Sequence, residues 1–175
     1  MPIRAGFGFS EDLCWASVKR LSDKDRKKTL KMKWITRKDV KVDRVACPWL
    51  IKRFVDPEAE FYFVAEEELL STAAQLKAIP FDAPRLSAVK LNHRGQCCTF
   101  EALLEDYKLT DPALHRMALI IRGADIKGQE HVSSESLGLR AIAHGFALTG
   151  ISEEERLAKQ FPIYDALYEY VRRAD

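Results

Sequence analysis

The segment from His93 to Glu101 contains four side chains of the kinds that bind metal ions. Gly95 lets the backbone turn back on itself, and such a turn can bring His93 and Glu101 within reach of one ion or one substrate. Cys97 or Cys98 would supply a further donor, because imidazole, carboxylate and thiolate groups together suit zinc or another late divalent metal. The alternative is structural: Glu101 stabilises the start of a helix, and His93 hydrogen-bonds to the backbone of its loop.

Asp125 is a further candidate ligand or base. It follows the apolar run 119–121 and Gly123, so it is expected just past the end of a buried helix, where the glycine can turn the chain. The alternative is an aspartate that bonds to the backbone of its own turn. Together His93, Glu101 and Asp125 form the predicted metal set, with zinc, iron or manganese as the candidate ions.

The other three histidines are weaker candidates than His93. His131 lies in a polar loop and would complete a metal set, although a lone loop histidine is more often solvated. His115 and His144 lie on or near apolar helix faces, and we interpret both as packing residues.

Cys47 is the candidate for a reactive thiol. If Pro48 occupies the first position of a helix, Cys47 is the N-cap, and the positive end of the helix would lower the pKa of its thiol. Arg44 would act in the same direction. The alternative is that Cys47 packs as a small buried side chain on the apolar side of the helix, next to Leu50 and Phe54.

Four arginines lie beside these polar blocks. If their guanidinium groups converge, they form a cradle for a small oxyanion, because each presents a rigid fork of donors. The alternative for each arginine taken alone is an ion pair at the surface or at the rim of the core. The four predicted anion-binding residues are Arg44, Arg53, Arg94 and Arg122.

Composition limits the classes of protein that remain. The chain has 175 residues, of which 47% are hydrophobic and 31% charged, which is enough for one domain with its own core. No apolar run approaches the ~20 residues of a membrane helix, and no secretory signal opens the chain. The four cysteines lack the spacing of a disulfide framework or a zinc ribbon, so reduced thiols in the cytoplasm are expected.

The net charge of +2 conceals an asymmetry along the chain. Residues 1–33 carry 9 basic and 4 acidic residues, whereas the remainder carries 19 basic and 22 acidic residues. The body of the protein is therefore mildly acidic, and direct nucleic-acid binding is not expected. The sequence also contains no glycine-rich phosphate loop, nucleophile-elbow serine or zinc-protease helix motif.

The elements that must position these residues alternate between strands and helices. Patterns of apolar residues predict strands at 33–37, 61–64 and 88–91, and a central buried helix at 135–148. Asp43, Thr99, Asp111 and Ser152 are predicted to cap helices, and Pro162 to kink the last one. The predicted fold is a single α+β domain, rich in helices, with a small β-sheet.

Residues 1–31 differ from the rest of the chain. They show no sustained periodicity and end in a basic run, so we interpret them as a weakly ordered extension, with Met32 as a candidate start of the domain at 32–175. The alternative is a short helix at 13–20 that docks on the body.

Several blocks resemble the chromate-resistance protein family, the domain that forms the C-terminal part of ChrB-type regulators. The resemblance covers residues 32–172. It rests on Trp34-Ile35-Thr36-Arg37, the long block from Val42 to Ala59, His93-Arg94-Gly95 leading to Thr99-Phe100-Glu101, Arg122-Gly123-Ala124-Asp125, and the segment from Pro162 to Tyr168.

The resemblance implies a cytoplasmic bacterial protein connected with chromate resistance or with chromate-responsive gene control. Full-length regulators of this type carry an additional N-terminal DNA-binding region, and the 31 residues before the match are too few for one. We therefore expect a free-standing sensor or accessory domain.

Three functions remain open from the sequence. The first is a binding module for an oxyanion such as chromate or for a divalent metal ion. The second is a small metal-dependent enzyme in which His93, Glu101 and Asp125 position the ion. The third is a protein whose polar blocks are structural and which works through partners. The sequence also leaves open a homodimer, and it does not decide whether a reaction is catalysed.

Overall fold

A computed structural model of the protein describes residues 31–173. The predicted extension at 1–31 and the alternative helix at 13–20 fall, except for Lys31, outside the described residues. Within residues 31–173, no helix combines the length and the apolarity needed to cross a membrane.

The sheet has three parallel strands with the first strand at its centre. Strand β1 (Lys33–Arg37) pairs on one side with β2 (Glu60–Val64) and on the other with the two-residue β3 (Ile79–Pro80), in the order β2-β1-β3. Parallel neighbours need long crossover connections, and helices supply them here. Six α-helices are described: α1 (Asp43–Leu50), α2 (Leu69–Leu76), α3 (Thr99–Asp106), α4 (Pro112–Asp125), α5 (Ser136–Ala147) and α6 (Glu153–Arg173).

Successive side chains of β1 point to opposite faces of the sheet, and helices cover both faces. Trp34 is buried in the main core, whereas Ile35 points to the other face and packs with Ala73 of α2. The main core joins that first face to residues of α1, α3, α4, α5 and α6. The order of the strands switches sides at β1, since β2 is added on one side of it and β3 on the other. The carboxyl ends of β1 and β3 therefore flank the kind of crevice in which open parallel sheets bind ligands.

The predicted fold class is confirmed, as are several of its details. Asp111 caps α4 by accepting a hydrogen bond from the backbone of Ala113 (2.8 Å), and Pro112 is the first helical residue. Ser152 caps α6 in the same way through the backbone N–H of Glu155 (3.1 Å).

Other predictions were wrong. Residues 88–91 do not form a strand, because Leu91 makes a single isolated bridge with Phe81. Helix α5 is not central: Leu137 is 59% exposed and Leu148, just past its end, is 88% exposed. The apolar composition of α5 alone does not indicate which side of the helix packs against other helices.

Two predicted helix starts were also wrong. Asp43 is the first helical residue of α1 rather than its cap, and its side chain makes no capping hydrogen bond within that helix. Thr99 is the first helical residue of α3, with Cys98 at the capping position.

Candidate metal site

The first helical residue of α1 is a buried carboxylate. Asp43 is 1% exposed, and its Oδ2 accepts a hydrogen bond from the backbone N–H of Thr99 (2.6 Å) at the start of α3. Its Oδ1 is buried and has no hydrogen-bond partner among the described residues. Burial of an unpaired carboxylate oxygen carries a large desolvation cost, so this atom is a candidate ligand position.

His93 lies in the loop that leads from β3 to α3, and its imidazole faces three carboxylates. Its Nε2 is 3.4 Å from Oδ2 of Asp43, 3.4 Å from Oδ1 of Asp82 and 3.4 Å from Oδ2 of Asp125. These distances exceed those of ordinary N–H···O hydrogen bonds, and one N–H cannot donate well to three acceptors.

Asp125 is the last residue of α4, and its side chain joins the carboxylates around His93. Its Oδ1 accepts a hydrogen bond from the backbone N–H of Asp43 (3.3 Å), which joins the end of α4 to the start of α1. The end of α4 is fixed in turn by Arg140 of α5, which donates to the backbone carbonyls of Gly123 (2.9 Å) and Ala124 (2.7 Å).

Gly123 allows α5 to lie close to the end of α4. A Cβ atom at this position would lie 2.3 Å from Oγ of Ser136, which donates a hydrogen bond to the carbonyl of Ile120 (3.0 Å). Any larger residue at 123 would push α5 away from α4. Gly123 is therefore needed for close helix packing beside Asp125, rather than for the turn that the sequence predicted.

Asp82 follows β3 and is held by several donors. Its Oδ2 accepts from Arg44 (3.1 Å), its Oδ1 accepts from the hydroxyl of Thr99 (3.1 Å), and its backbone carbonyl accepts from Arg37 (3.0 Å). Asp82 is therefore a carboxylate whose charge is already balanced. It contacts His93 but is not one of the residues whose ligand atoms group together.

Asp43, His93 and Asp125 do form such a group, and we call these three residues the triad. One ligand atom from each lies within 4.8 Å of those of the other two. Donor atoms bound about 2.1 Å from a tetrahedral ion are roughly 3.4 Å apart. The separations between His93 and the two aspartates match that spacing.

The electrostatics of the triad show a surplus of negative charge. The Asp43 carboxylate, followed by that of Asp82, raises the pKa of His93 to about 10. Burial, reinforced by the charges of Asp43 and Asp82, raises the pKa of Asp125 to about 7. Burial opposes ionisation of Asp82 as well, but His93 and the charges of Arg44 and Arg37 lower its pKa. The neighbouring carboxylates therefore favour the protonated form of His93, and ionisation of Asp125 is disfavoured.

The structure brings together two of the three predicted metal ligands, His93 and Asp125. Glu101 is not part of the triad, because both of its carboxylate oxygens are engaged elsewhere. Its Oε2 accepts from the backbone N–H of Cys98 (2.9 Å) and its Oε1 from Arg122 (3.3 Å). This is the helix-starting role that the sequence left open for Glu101.

Among the described residues, the four predicted anion-binding arginines share no acidic partner with one another. Each has its own acidic partner: Asp82 for Arg44, Asp165 for Arg53, Glu105 and Asp106 for Arg94, and Glu101 for Arg122. The acidic partners of Arg94 and Arg122 all lie on α3. They correspond to the ion-pair alternative considered for each arginine taken alone.

Cys47 is not at the start of a helix. It lies inside α1, which continues through Pro48, and it is fully buried. Burial, with a contribution from the Asp43 carboxylate, raises the pKa of its thiol rather than lowering it. The condition for a reactive Cys47 is therefore not met. Cys98 is equally buried, and neither thiol belongs to the triad.

The remaining histidines are exposed. His115 and His144 were predicted to pack against apolar faces, and this was wrong, because both lie on the solvent side of their helices. His131 is exposed in its loop, where a lone histidine is usually solvated.

Sequence reasoning missed the contributions of Asp43 and Asp82 to this site. Asp43 had the appearance of a helix cap, and Asp82 that of a loop residue among prolines. A carboxylate directly after a short strand was the available signal for Asp82. A carboxylate in this position indicates a binding site only when the sheet is known to be parallel. In parallel sheets, ligands bind at the carboxyl ends of the strands.

Comparison with known proteins identifies the family. The model of the ChrB C-terminal domain matches residues 34–171, which is most of the chain. This chain belongs to the ChrB C-terminal domain family. Protein ChrB of Cupriavidus metallidurans is 31% identical over 136 residues, which cover 77% of this chain and 39% of that relative. The chain thus spans about two fifths of the length of that ChrB protein. No solved structure matches it.

All triad residues lie within the part of the chain that matches the family model. The site is therefore a feature of the ChrB C-terminal domain itself in this chain.

Proposed function

We propose that this chain is an accessory or sensor domain of a chromate-resistance system, and that it works by binding a divalent metal ion through Asp43, His93 and Asp125. One observation carries the metal-binding part: two carboxylates meet one imidazole at ligand spacing, and a buried oxygen of Asp43 has no partner among the described residues. Membership in the ChrB C-terminal domain family, together with the resemblance of the sequence blocks, supports the connection with chromate resistance.

The charges at the site favour a cation over an oxyanion as the ligand of the triad. Three carboxylates surround His93, and Arg44 already balances that of Asp82. A negatively charged ligand placed among the carboxylates would be repelled, whereas a divalent ion would replace the proton of His93 and balance Asp43 and Asp125.

The donor set limits the identity of the ion. Two carboxylates and one imidazole suit manganese, iron or zinc, and the buried thiols that would favour softer ions are not part of the triad. Intrinsic affinity in such a site is expected to increase from manganese through iron to zinc.

A small metal-dependent enzyme is the second candidate function. Three protein ligands leave at least one coordination position for water or a substrate, as in catalytic metal sites. A sensor can use the same position to read a second ligand, so the arrangement of ligands alone supports both functions.

The experiment that tests the proposal measures metal content and affinity in matched variants. We expect chelator-treated wild-type protein to bind one equivalent of Mn²⁺ or Zn²⁺ by isothermal titration calorimetry, with the stoichiometry checked by elemental analysis. His93→Gln should bind neither ion. Glu101→Gln is the control, because it removes a charge from the predicted but separate residue, and it should bind as the wild type does.

Two results would overturn the proposal. One is the absence of binding to folded wild-type protein, and the other is full metal occupancy in His93→Gln. Loss of metal in Glu101→Gln with retention in Asp43→Asn would instead support the ligand set predicted from the sequence. Circular dichroism of each variant separates these results from loss of folding.

The expectations on location and partners stay predictions. The three cysteines of the described residues are free, as expected of a cytoplasmic protein. A homodimer and the absence of direct nucleic-acid binding are likewise expectations.

A further inference from the structure

A cavity of about 410 Å³ adjoins the triad at Asp125. Its walls come from the segment before α1, the end of α4, the loop that follows α4, and α5. Asp125 is the triad residue that lines this cavity. Its side chain is 20% exposed, whereas that of Asp43 is 1% exposed. A ligand that enters the cavity therefore meets the triad from the side of Asp125.

Four of the side chains that line the cavity are cationic or hydrogen-bond donors, and among the described residues all of them except Arg140 are unpaired. Within residues 31–173, the side chains of Lys41, Lys127 and His144 have no hydrogen-bond or ion-pair partner, and all three are exposed. They come from three different segments of the chain and face one space. Since no protein acceptor engages them, their donors are available to a ligand.

The negative charges of the cavity are balanced by an ion pair or would be balanced by the proposed metal ion. Glu130 is paired with Arg140 (2.6 Å), and the same guanidinium is also committed to the carbonyls at the end of α4. A divalent ion at the triad would balance Asp125. The cavity would then carry the uncompensated charges of Lys41 and Lys127, and would attract an anion.

We propose that this cavity is the anion subsite of the metal centre and takes a small oxyanion, held by Lys41, Lys127 and His144 next to the bound ion. The inference rests on the proposed function, because without the ion the carboxylate of Asp125 repels the ligand. Anion binding is therefore metal-dependent. This arrangement differs from a cradle of arginines, since its donors are lysines and a histidine that the structure leaves unpaired.

A second cavity of about 470 Å³ supplies the matched control. It lies at the carboxyl ends of β1 and β2 and is lined by Lys38 and Arg85, while Lys41 lines both cavities. Lys38 and Lys127 are both exposed, so each can be replaced by alanine without disturbing the core. The two replacements remove the same charge from different cavities.

The test uses sulfate as a small oxyanion that does not oxidise thiols. Sulfate is titrated into the Mn²⁺-loaded protein by calorimetry, with chloride at equal ionic strength as reference, and the Mn²⁺ signal is followed by electron paramagnetic resonance. We expect sulfate to bind the loaded wild type at least about tenfold more tightly than the metal-free protein. Lys127→Ala should weaken this binding about tenfold or more, and Lys38→Ala should change it less than twofold.

The remaining outcomes separate this inference from the proposed function. Mn²⁺ binding with no sulfate binding would overturn the anion subsite and leave the metal site intact. Equal sulfate affinity with and without Mn²⁺ would overturn the coupling between the two ligands. Loss of sulfate binding in Lys38→Ala, with Lys127→Ala unaffected, would assign the anion to the other cavity. Failure of Mn²⁺ to bind would overturn the proposed function first, and this subsite with it.

Discussion

Two groups of charged residues join helices in this domain. One pairs its charges, whereas the other brings carboxylates close together. Helix α1 and the helical turn that continues it (Ile51–Val55) contact α6, and we call this contact the α1–α6 joint. There Asp165 accepts from the indole N–H of Trp49 (2.7 Å) and from two nitrogens of Arg53 (2.9 and 2.7 Å). The indole N–H and two of the three guanidinium nitrogens thus each meet an acceptor. In the triad, by contrast, the carboxylates of Asp43 and Asp125 face each other across a single imidazole.

The difference is the one expected between a structural contact and the proposed binding site. In a contact that only stabilises the fold, the charges are paired, because unpaired buried groups lower the free energy of unfolding. The triad leaves a buried oxygen of Asp43 without a partner and concentrates like charges. Such an arrangement fits the proposed divalent ion, which would supply the missing charge.

The largest expected effect is on Mn²⁺ affinity. It is tested by two matched replacements of aspartate by asparagine, one in the triad and one in the α1–α6 joint. Asp43→Asn retains an acceptor for the backbone of Thr99 but removes a charged ligand, so it should weaken Mn²⁺ binding by about 100-fold or more. Asp165→Asn makes the same change in the α1–α6 joint and should alter Mn²⁺ affinity by less than about twofold. Isothermal titration calorimetry measures both. Equal losses in the two variants would remove the distinction between the regions.

The second prediction concerns the effect of the metal on stability. At a free Mn²⁺ concentration of about 100 times the Kd, binding to the folded state should add about 2.7 kcal/mol to the free energy of unfolding. For a domain of this size, this corresponds to a rise in Tm of roughly 5–10 °C, measured by differential scanning calorimetry. The rise should disappear in Asp125→Asn and persist in Asp165→Asn. A rise of equal size in Asp125→Asn would mean that the ion binds elsewhere.

The third prediction tests the joint alone, with two buried tryptophans as the matched pair. The indole N–H of Trp49 has an acceptor, whereas that of Trp34 has none among the described residues. Both side chains are almost fully buried. Replacement by phenylalanine loses packing in both cases but a hydrogen bond only at Trp49. In urea unfolding, Trp49→Phe should therefore cost about 1–2 kcal/mol more than Trp34→Phe, with metal affinity unchanged.

The smallest effect is a pH dependence in the joint. The guanidinium of Arg53 holds the pKa of Asp165 below its usual value of 3.8. The ionised carboxylate thus stabilises the fold above about pH 4, and this contribution is lost as the pH falls through the lowered pKa. Both side chains are close to half exposed, so only a few tenths of a kcal/mol are involved.

The measurement for this last prediction is the difference in stability between wild type and Asp165→Asn at several acidic pH values. The stability advantage of the wild type should shrink between pH 5 and pH 2. A difference that stays constant, or that grows towards acid, would show that the ionised form of Asp165 does not stabilise the joint.

The sequence predicted those parts of the fold that depend on local chemistry. The cap formed by Asp111 with Pro112 and the cap at Ser152 are encoded within a few residues, and they are present in the structure. The strand at Lys33–Arg37 was predicted with the bounds that the structure shows. These features need no knowledge of distant neighbours.

The rest of the candidate site depends on contacts that local patterns do not contain. Asp43 and Glu101 are both acidic residues in the first turn of a helix, yet Asp43 faces His93 and Glu101 faces Arg122. The parallel order of the strands, which decides this, is set by long crossovers rather than by any short motif. The exposed side of α5 escaped prediction for the same reason, because its burial depends on which helices lie beside it.

The hydrogen bond between the backbone of Asp43 and the side chain of Asp125 spans 82 positions of the chain. Many structural zinc sites gather their ligands from a few short loops, and metal binding then drives folding. Here the proposed ligands meet only where α1 and α4 are packed together, so a short peptide cannot reproduce the site. An ion that binds only once these helices are packed is expected to slow unfolding while leaving the folding rate nearly unchanged. The metal would thus act on the lifetime of the native domain rather than on its formation.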